Sequence, residues 1–110
     1  MTARLKAGIY ARALIRRAQV AGASAYVLRH GAEDAGAIFL KLLRPDRSCT
    51  VLSQARRGEG ELVWIRPLGE TSDEDAAAKY FDKQMRFDPD LWILEIEDRE
   101  GRAFVDEPIA

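Results

Sequence analysis

The sequence predicts an α+β fold with the element order α-β-β-β-β-α-β, a mainly antiparallel sheet with two helices packed on one face. Three observations carry this. Two segments repeat apolar residues at helical spacing, near 4–21 and 71–88. Five short runs are rich in the β-branched, aromatic and aliphatic residues that strands favour. The first four of those runs are joined by turn chemistry alone, and short links of that kind bring antiparallel neighbours together.

In the first helical segment Ala7, Ala11, Leu14, Ile15 and Ala18, with Tyr10 at the margin, fall on one arc at about 100° per residue. An arc made mostly of alanine lets a helix approach a sheet closely. Arg12, Arg16 and Gln19 share the polar side, and Gly22 is a stop signal. Strand-like runs follow at 25–29, 37–44, 50–55 and 62–66, separated by 31–36, by Pro45-Asp46-Arg47-Ser48 and by Arg57-Gly58-Glu59-Gly60. Together they predict a four-stranded meander. The second helix opens on Thr71-Ser72-Asp73-Glu74, which fits a capping box between Thr71 and Glu74. Ala77, Tyr80, Phe81, Gln84 and Met85 form its inward stripe, and Pro89 forces Asp88 out of helical geometry. The fifth strand is 91–97, LWILEIE, and 99–110 reads as a mostly polar tail with an apolar patch at Ala103-Phe104-Val105.

A chain of 110 residues, 47% apolar and 32% charged, is the size and balance of one globular domain, with a core over about 4–98. Cys49 is the only cysteine, which excludes a disulfide framework and points to the cytoplasm. The basic side chains scattered through the first residues argue against a signal peptide, and no apolar run is long enough for a membrane span. Charge is uneven. Residues 1–30 hold six basic groups and no acid, whereas 31–110 hold eleven basic against eighteen acidic, a net of −7. Such asymmetry can mark a nucleic-acid contact, or a basic helix resting beside acidic elements of its own fold.

Four strings, in this order and spacing, carry a resemblance: RLKAGIYARALIRR at 4–17, DAGAIFLKL at 34–42, VLSQ at 51–54 and RFDPDLWILEIED at 86–98. They resemble a family of short alphaproteobacterial proteins, domain of unknown function 1491. The resemblance spans about 4–98 and implies one folded unit. It implies no activity, substrate or catalytic residue.

The residues argue several chemistries down. His30 and Cys49, the only members of their kinds, sit at the margins of strands that are not adjacent in a meander, so a Cys–His dyad is not expected. One histidine and one cysteine cannot supply the usual zinc sets. Asp88 and Asp90 read as a helix stop, and Glu95 and Glu97 as the wet face of a strand. The stretch 31–36 holds two glycines and two acids, lacks a following Lys-Ser/Thr and leads into a strand, so it is a hairpin turn rather than a phosphate loop. The element order is similar to the core of restriction-endonuclease-like nucleases. Asp34 and Lys41 fall near the right places, yet Phe39 stands where that motif needs a carboxylate. No catalytic residue, metal or cofactor is expected.

Two helices on one face leave the other face to be covered. Ile38-Phe39-Leu40, Val63-Trp64-Ile65 and Leu91-Trp92-Ile93-Leu94 are apolar on both faces, where a wet antiparallel sheet would alternate. Trp92, Leu94 and Ile96 are assigned to the helical face, beneath Tyr80, Phe81 and Leu14. Either the tail around Phe104 covers the opposite face, or a second copy or partner protein does, with Leu91, Ile93, Phe39 and Trp64 as the candidate interface. The expected function is therefore a non-catalytic, self-associating interaction or accessory domain. The alternative is a nucleic-acid-associated protein with Arg12, Arg16, Arg56 and Arg57 as phosphate contacts, although the pI near 5.8 is far from that of such domains.

Overall fold

In the computed structural model, residues 6–110 are described. Helix α1 spans Ala7–Val20, followed by strands β1 (Ser24–Arg29), β2 (Ile38–Leu43), β3 (Cys49–Arg57) and β4 (Glu61–Ile65). Helix α2 (Glu74–Phe87) and strand β5 (Trp92–Glu97) complete the predicted order. Arg4 and Leu5, which the periodicity assigned to the first helix, lie outside the described residues.

The five strands form one sheet in the order β1-β5-β2-β3-β4. The pairings β1–β5, β2–β3 and β3–β4 are antiparallel, and β2–β5 is parallel. The expected four-stranded meander is thus corrected: β5 inserts between β1 and β2. The reason is visible in the residues. Trp92-Ile93-Leu94 is apolar on both faces, and a strand buried on both faces belongs in the middle of a sheet. The stretch 31–36 is accordingly not a hairpin turn but a bridge over the start of β5. Ala32 N donates to Asp90 O at 2.9 Å, and a Cβ at Gly31 or Gly36 would collide with that same carbonyl oxygen. Glycine is required there by close backbone approach.

The helices lie on opposite faces, which corrects the one-face expectation. The α1 side buries Leu14, Ala25, Leu40, Leu52, Trp64, Trp92, Leu94 and Ile96, and the α2 side buries Phe39, Val51, Ala77, Phe81, Leu91 and Ile93. Strand β4 runs in the same direction as β5, so β4–α2–β5 is a parallel crossover. The handedness preference of such units confines the helix to one face, whatever face α1 occupies. The alanines of α1 let it settle over β1 and β5. The rest of that face is roofed by Ala103, Phe104 and Val105. Helix α2 is capped by Asp73, whose carboxylate accepts from Ala76 N at 2.8 Å, and not by the predicted Thr71–Glu74 box. Glu74 is engaged elsewhere, by Lys41 and Arg47.

Candidate functional site

The two outer edges of the sheet are finished differently. Along β4, Trp64 N donates to Pro108 O at 2.9 Å and Ala110 N to Trp64 O at 2.8 Å, a parallel bridge that adds residues 108–110 to the edge. Arg66 donates to Ala110 O at 3.0 Å. Beneath this strap, Glu107 Oε1 accepts from Tyr10 Oη at 2.6 Å and from Trp64 Nε1 at 3.0 Å. Burial pushes Glu107 up, but the hydrogen bonds from Tyr10 and Trp64 outweigh it and hold the carboxyl below its ordinary range. Burial first, and then that carboxylate, push the Tyr10 phenol well up, so it remains a donor.

Strand β1 has β5 on one side and no strand on the other among the described residues. Tyr26, Val27 and Leu28 are 44%, 38% and 49% exposed, and Val20, at the end of α1, is 78% exposed. The pairing with β5 shifts register between Val27 and Arg29. Gln19 Nε2 donates to the Ala25 carbonyl at 3.0 Å. Tyr26 turns to the α2 side, where a hydrogen bond to Glu95 holds its phenol up to about 12. An edge with successive apolar residues exposed and unpaired backbone beside them is a template for another strand. Sequence reasoning made 25–29 the first strand of a four-stranded meander and placed the candidate interface on the sheet faces instead. Composition gave no signal of the open edge, since four of the five residues at 25–29 are apolar, as many as in the capped strand run 62–66.

The four residues assigned to an interface are all buried within this chain. Leu91, Ile93 and Phe39 are covered by α2, with Phe39 edge-on to Phe81 and Tyr80 at ring separations of 6.3 and 6.0 Å. Trp64 is fully buried beneath the strap. The face they were to share with a partner is closed by the chain itself. The four arginines do not form one track either. Arg56 and Arg57 are consecutive on β3 and point to opposite faces. Arg12 holds Glu33 at 3.0 Å, Arg57 holds Glu61 at 3.3 Å, and Arg56 donates to Gly60 O at 2.7 Å. Arg16 is exposed on α1.

Lys41 sits between Glu74 at 2.8 Å and Glu95 at 3.0 Å, and Arg47 reaches Glu74 at 2.8 Å. Burial pulls Lys41 down, but its two carboxylate partners outweigh that and leave the ammonium firmly charged. A lysine held this way clips α2 to β2 and β5 and cannot act as a base. His30 stacks 4.2 Å from the Trp92 ring, whereas Cys49 is fully buried beside Ser72, with β5 and β2 between their strands. Among the described residues no three His, Cys, Asp or Glu side chains converge to hold a metal ion, and no helix is long and apolar enough to cross a membrane.

A cleft of 510 Å³ opens between α1, the loop before β2 and the strap. Tyr10, Gln54, Ile38, Leu62 and Glu107 line it, with Lys6, Asp34, Arg17 and Asp106 at hand. Lys6 pairs with Asp34 and Arg17 with Asp106, each at 3.5 Å.

The fold recurs in solved structures. A crystal structure of a DUF1491 family protein from Caulobacter crescentus CB15 is 41% identical, with a TM-score of 0.92 over 97% of this chain and 100% of that one. An NMR structure of a DUF1491 family protein from the same organism is also 41% identical, with a TM-score of 0.87 over 99% of each chain. The solution structure of a protein from A. tumefaciens is 32% identical, with a TM-score of 0.78 over 98% of this chain and 100% of that one. No curated protein matches in sequence. The sequence model of the family described as "Protein of unknown function (DUF1491)" matches residues 5–106, and the chain belongs to that family.

Proposed function

We propose that this chain is a cytoplasmic, non-catalytic interaction domain that self-associates through β1, two copies pairing their β1 strands antiparallel into one continuous sheet. The observation that carries this reading is the asymmetry of the edges: one is capped by the chain's own strap, while the other exposes Tyr26, Val27 and Leu28. The strand suits a copy of itself. An antiparallel pair runs Arg29 of one copy beside Ser24 of the other, and Ser24 neighbours Glu97 across β5. Arg29 of each copy then lies two strand spacings from Glu97 of the other, which places opposite charges toward both ends of the pair, with Tyr26 and Val27 near its centre. Exposed Val20 adds apolar area on the α1 side.

Sedimentation equilibrium at micromolar concentration tests it. The expected mass is near twice 12.3 kDa, falling to a single copy in Val27→Lys, because a lysine on an edge strand opposes the addition of another strand. Added salt should weaken the association through the Arg29 and Glu97 ends. A wild-type chain that stays a single copy over the concentration range, or a Val27→Lys dimer as tight as wild type, overturns the reading.

A further inference from the structure

The cleft between α1 and the strap has a polarity set before any ligand arrives. Ile38 N donates to Gln54 Oε1 at 3.0 Å, which fixes which end of that amide is oxygen. Gln54 Nε2 is left with two N–H donors and no partner among the described residues. Glu107 spends Oε1 on Tyr10 and Trp64, and Oε2 accepts no hydrogen bond from any other described residue. Lys6 and Arg17 pair with Asp34 and Asp106, so among the described residues the lining carries one net negative charge, at Glu107, which Arg17 also helps to hold ionised. The walls between are apolar: the Tyr10 ring, Ile38 and Leu62. A volume of 510 Å³ falls within the roughly 300–1,000 Å³ of small-molecule sites, which combine apolar walls with a few placed polar groups.

We propose that this cleft binds a small, neutral or singly cationic planar molecule that presents a hydrogen-bond donor beside an acceptor, as an amide or an aminopyrimidine does. The ligand's donor meets Glu107 Oε2 and its acceptor meets the Gln54 amide. A molecule with only one of the two groups leaves a half-buried partner dry, which is how polar sites discriminate.

The test is an amide-resolved NMR titration of the intact chain with three probes at millimolar concentration: 2-aminopyrimidine, with donor and acceptor; pyrimidine, with acceptors alone; and aniline, with a donor alone. The expected result is that 2-aminopyrimidine saturates shifts at the Trp64 indole N–H, the Gln54 side-chain amide and the Gly36 amide. The other two probes should bind roughly tenfold more weakly. In Glu107→Gln the side chain can still accept from Tyr10 and Trp64 but offers N–H where Oε2 stood. Its spectrum reports that it is folded, and its preference should invert toward pyrimidine. Equal affinity for the three probes, shifts mapping outside the cleft, no shifts at all, or an unchanged preference in Glu107→Gln would each overturn the proposal.

Discussion

The two edges of this sheet face one physical problem and meet it differently. Every edge strand has backbone donors and acceptors that a neighbouring chain can recruit. At β4 the chain folds back and fills them with Pro108 and Ala110, then pins the filler with a carboxylate shared by Tyr10 and Trp64. At β1 the Gln19 side chain takes the Ala25 carbonyl, no strand among the described residues pairs with the outer side, and exposed apolar side chains surround it. A fold that closes one edge with this much machinery and leaves the other apolar and open has made the second available. That contrast, rather than the apolar strand faces, is the ground for assigning an interaction role.

The largest expected effects come from the tryptophans inboard of each edge. Trp64→Ala and Trp92→Ala should each cost about 3–5 kcal/mol, because both indoles are buried and lose packing on all sides. Ile93→Ala should also cost about 2–5 kcal/mol, since α2 covers it. Denaturant melts check all three. An Ile93→Ala chain as stable as wild type would restore Ile93 to a partner-facing role and break the comparison at its base.

Much of this architecture was legible in the residues. Helix and strand limits follow periodicity, turn glycines and Pro89, and the element order needed nothing more. The pairing order was not legible, because short links between strands suggest hairpins and nothing local in 31–36 says that Asp90 must pass beneath Gly31 and Gly36. The error about helix faces had a related source: without the pairing order, the parallel crossover β4–α2–β5 that fixes the face of α2 is not visible. The strap was half legible. Phe104 was recognised as possible cover for a sheet face, but the role of Glu107 depends on Tyr10, 97 residues away, and on Trp64, and no spacing rule reports such a contact.

A chain ended after Val105 sharpens the contrast, since it uncaps β4 and leaves β1 untouched. The Tyr10 hydroxyl and the Trp64 indole N–H lose their common acceptor, at about 1–3 kcal/mol for each donor left dry. The newly opened edge should then associate by a route that Val27→Lys does not suppress. Light scattering of the shortened chain with and without that substitution checks it. Suppression by Val27→Lys would mean that both forms associate through the same edge.

Acid should loosen the strap before it melts the sheet. Asp98, at the end of β5, turns the chain toward β4 by accepting from Glu100 N at 3.1 Å and from Arg102 N and Nε, each at 3.0 Å. The Arg102 hydrogen bonds, which outweigh burial, hold its carboxyl far below the ordinary value. A depressed folded pKa gives stability that is complete above the unfolded value, near 3.9, and is lost as pH falls below it. Stability should therefore be level across neutral and mildly acidic pH and decline below about pH 4. Asp98→Asn should flatten that decline and be less stable at neutrality. Thermal melts from about pH 2.5 to about pH 7 record both slopes. A decline as steep in Asp98→Asn as in wild type would remove Asp98 as its cause.

The smallest effect on stability is the most discriminating. Val27 on β1 and Ile65 on β4 are equally exposed, at 38% each, and neither belongs to either buried cluster. Substituting either by lysine should change monomer stability by no more than about 0.5 kcal/mol, as at other surface positions. Their edges differ, so their association should too. Val27→Lys places a charge, and by symmetry its mate, along the strand left open, whereas Ile65→Lys lands on a strand whose outer backbone is already occupied by Pro108 and Ala110. Sedimentation of the two variants side by side should show a single copy for Val27→Lys and the wild-type mass for Ile65→Lys. If Ile65→Lys alone dissociated the dimer, the capped edge would be the contact and the strap part of the interface. Equal loss in both would mean that added positive charge, not edge geometry, governs association, and raising the ionic strength would then restore both together.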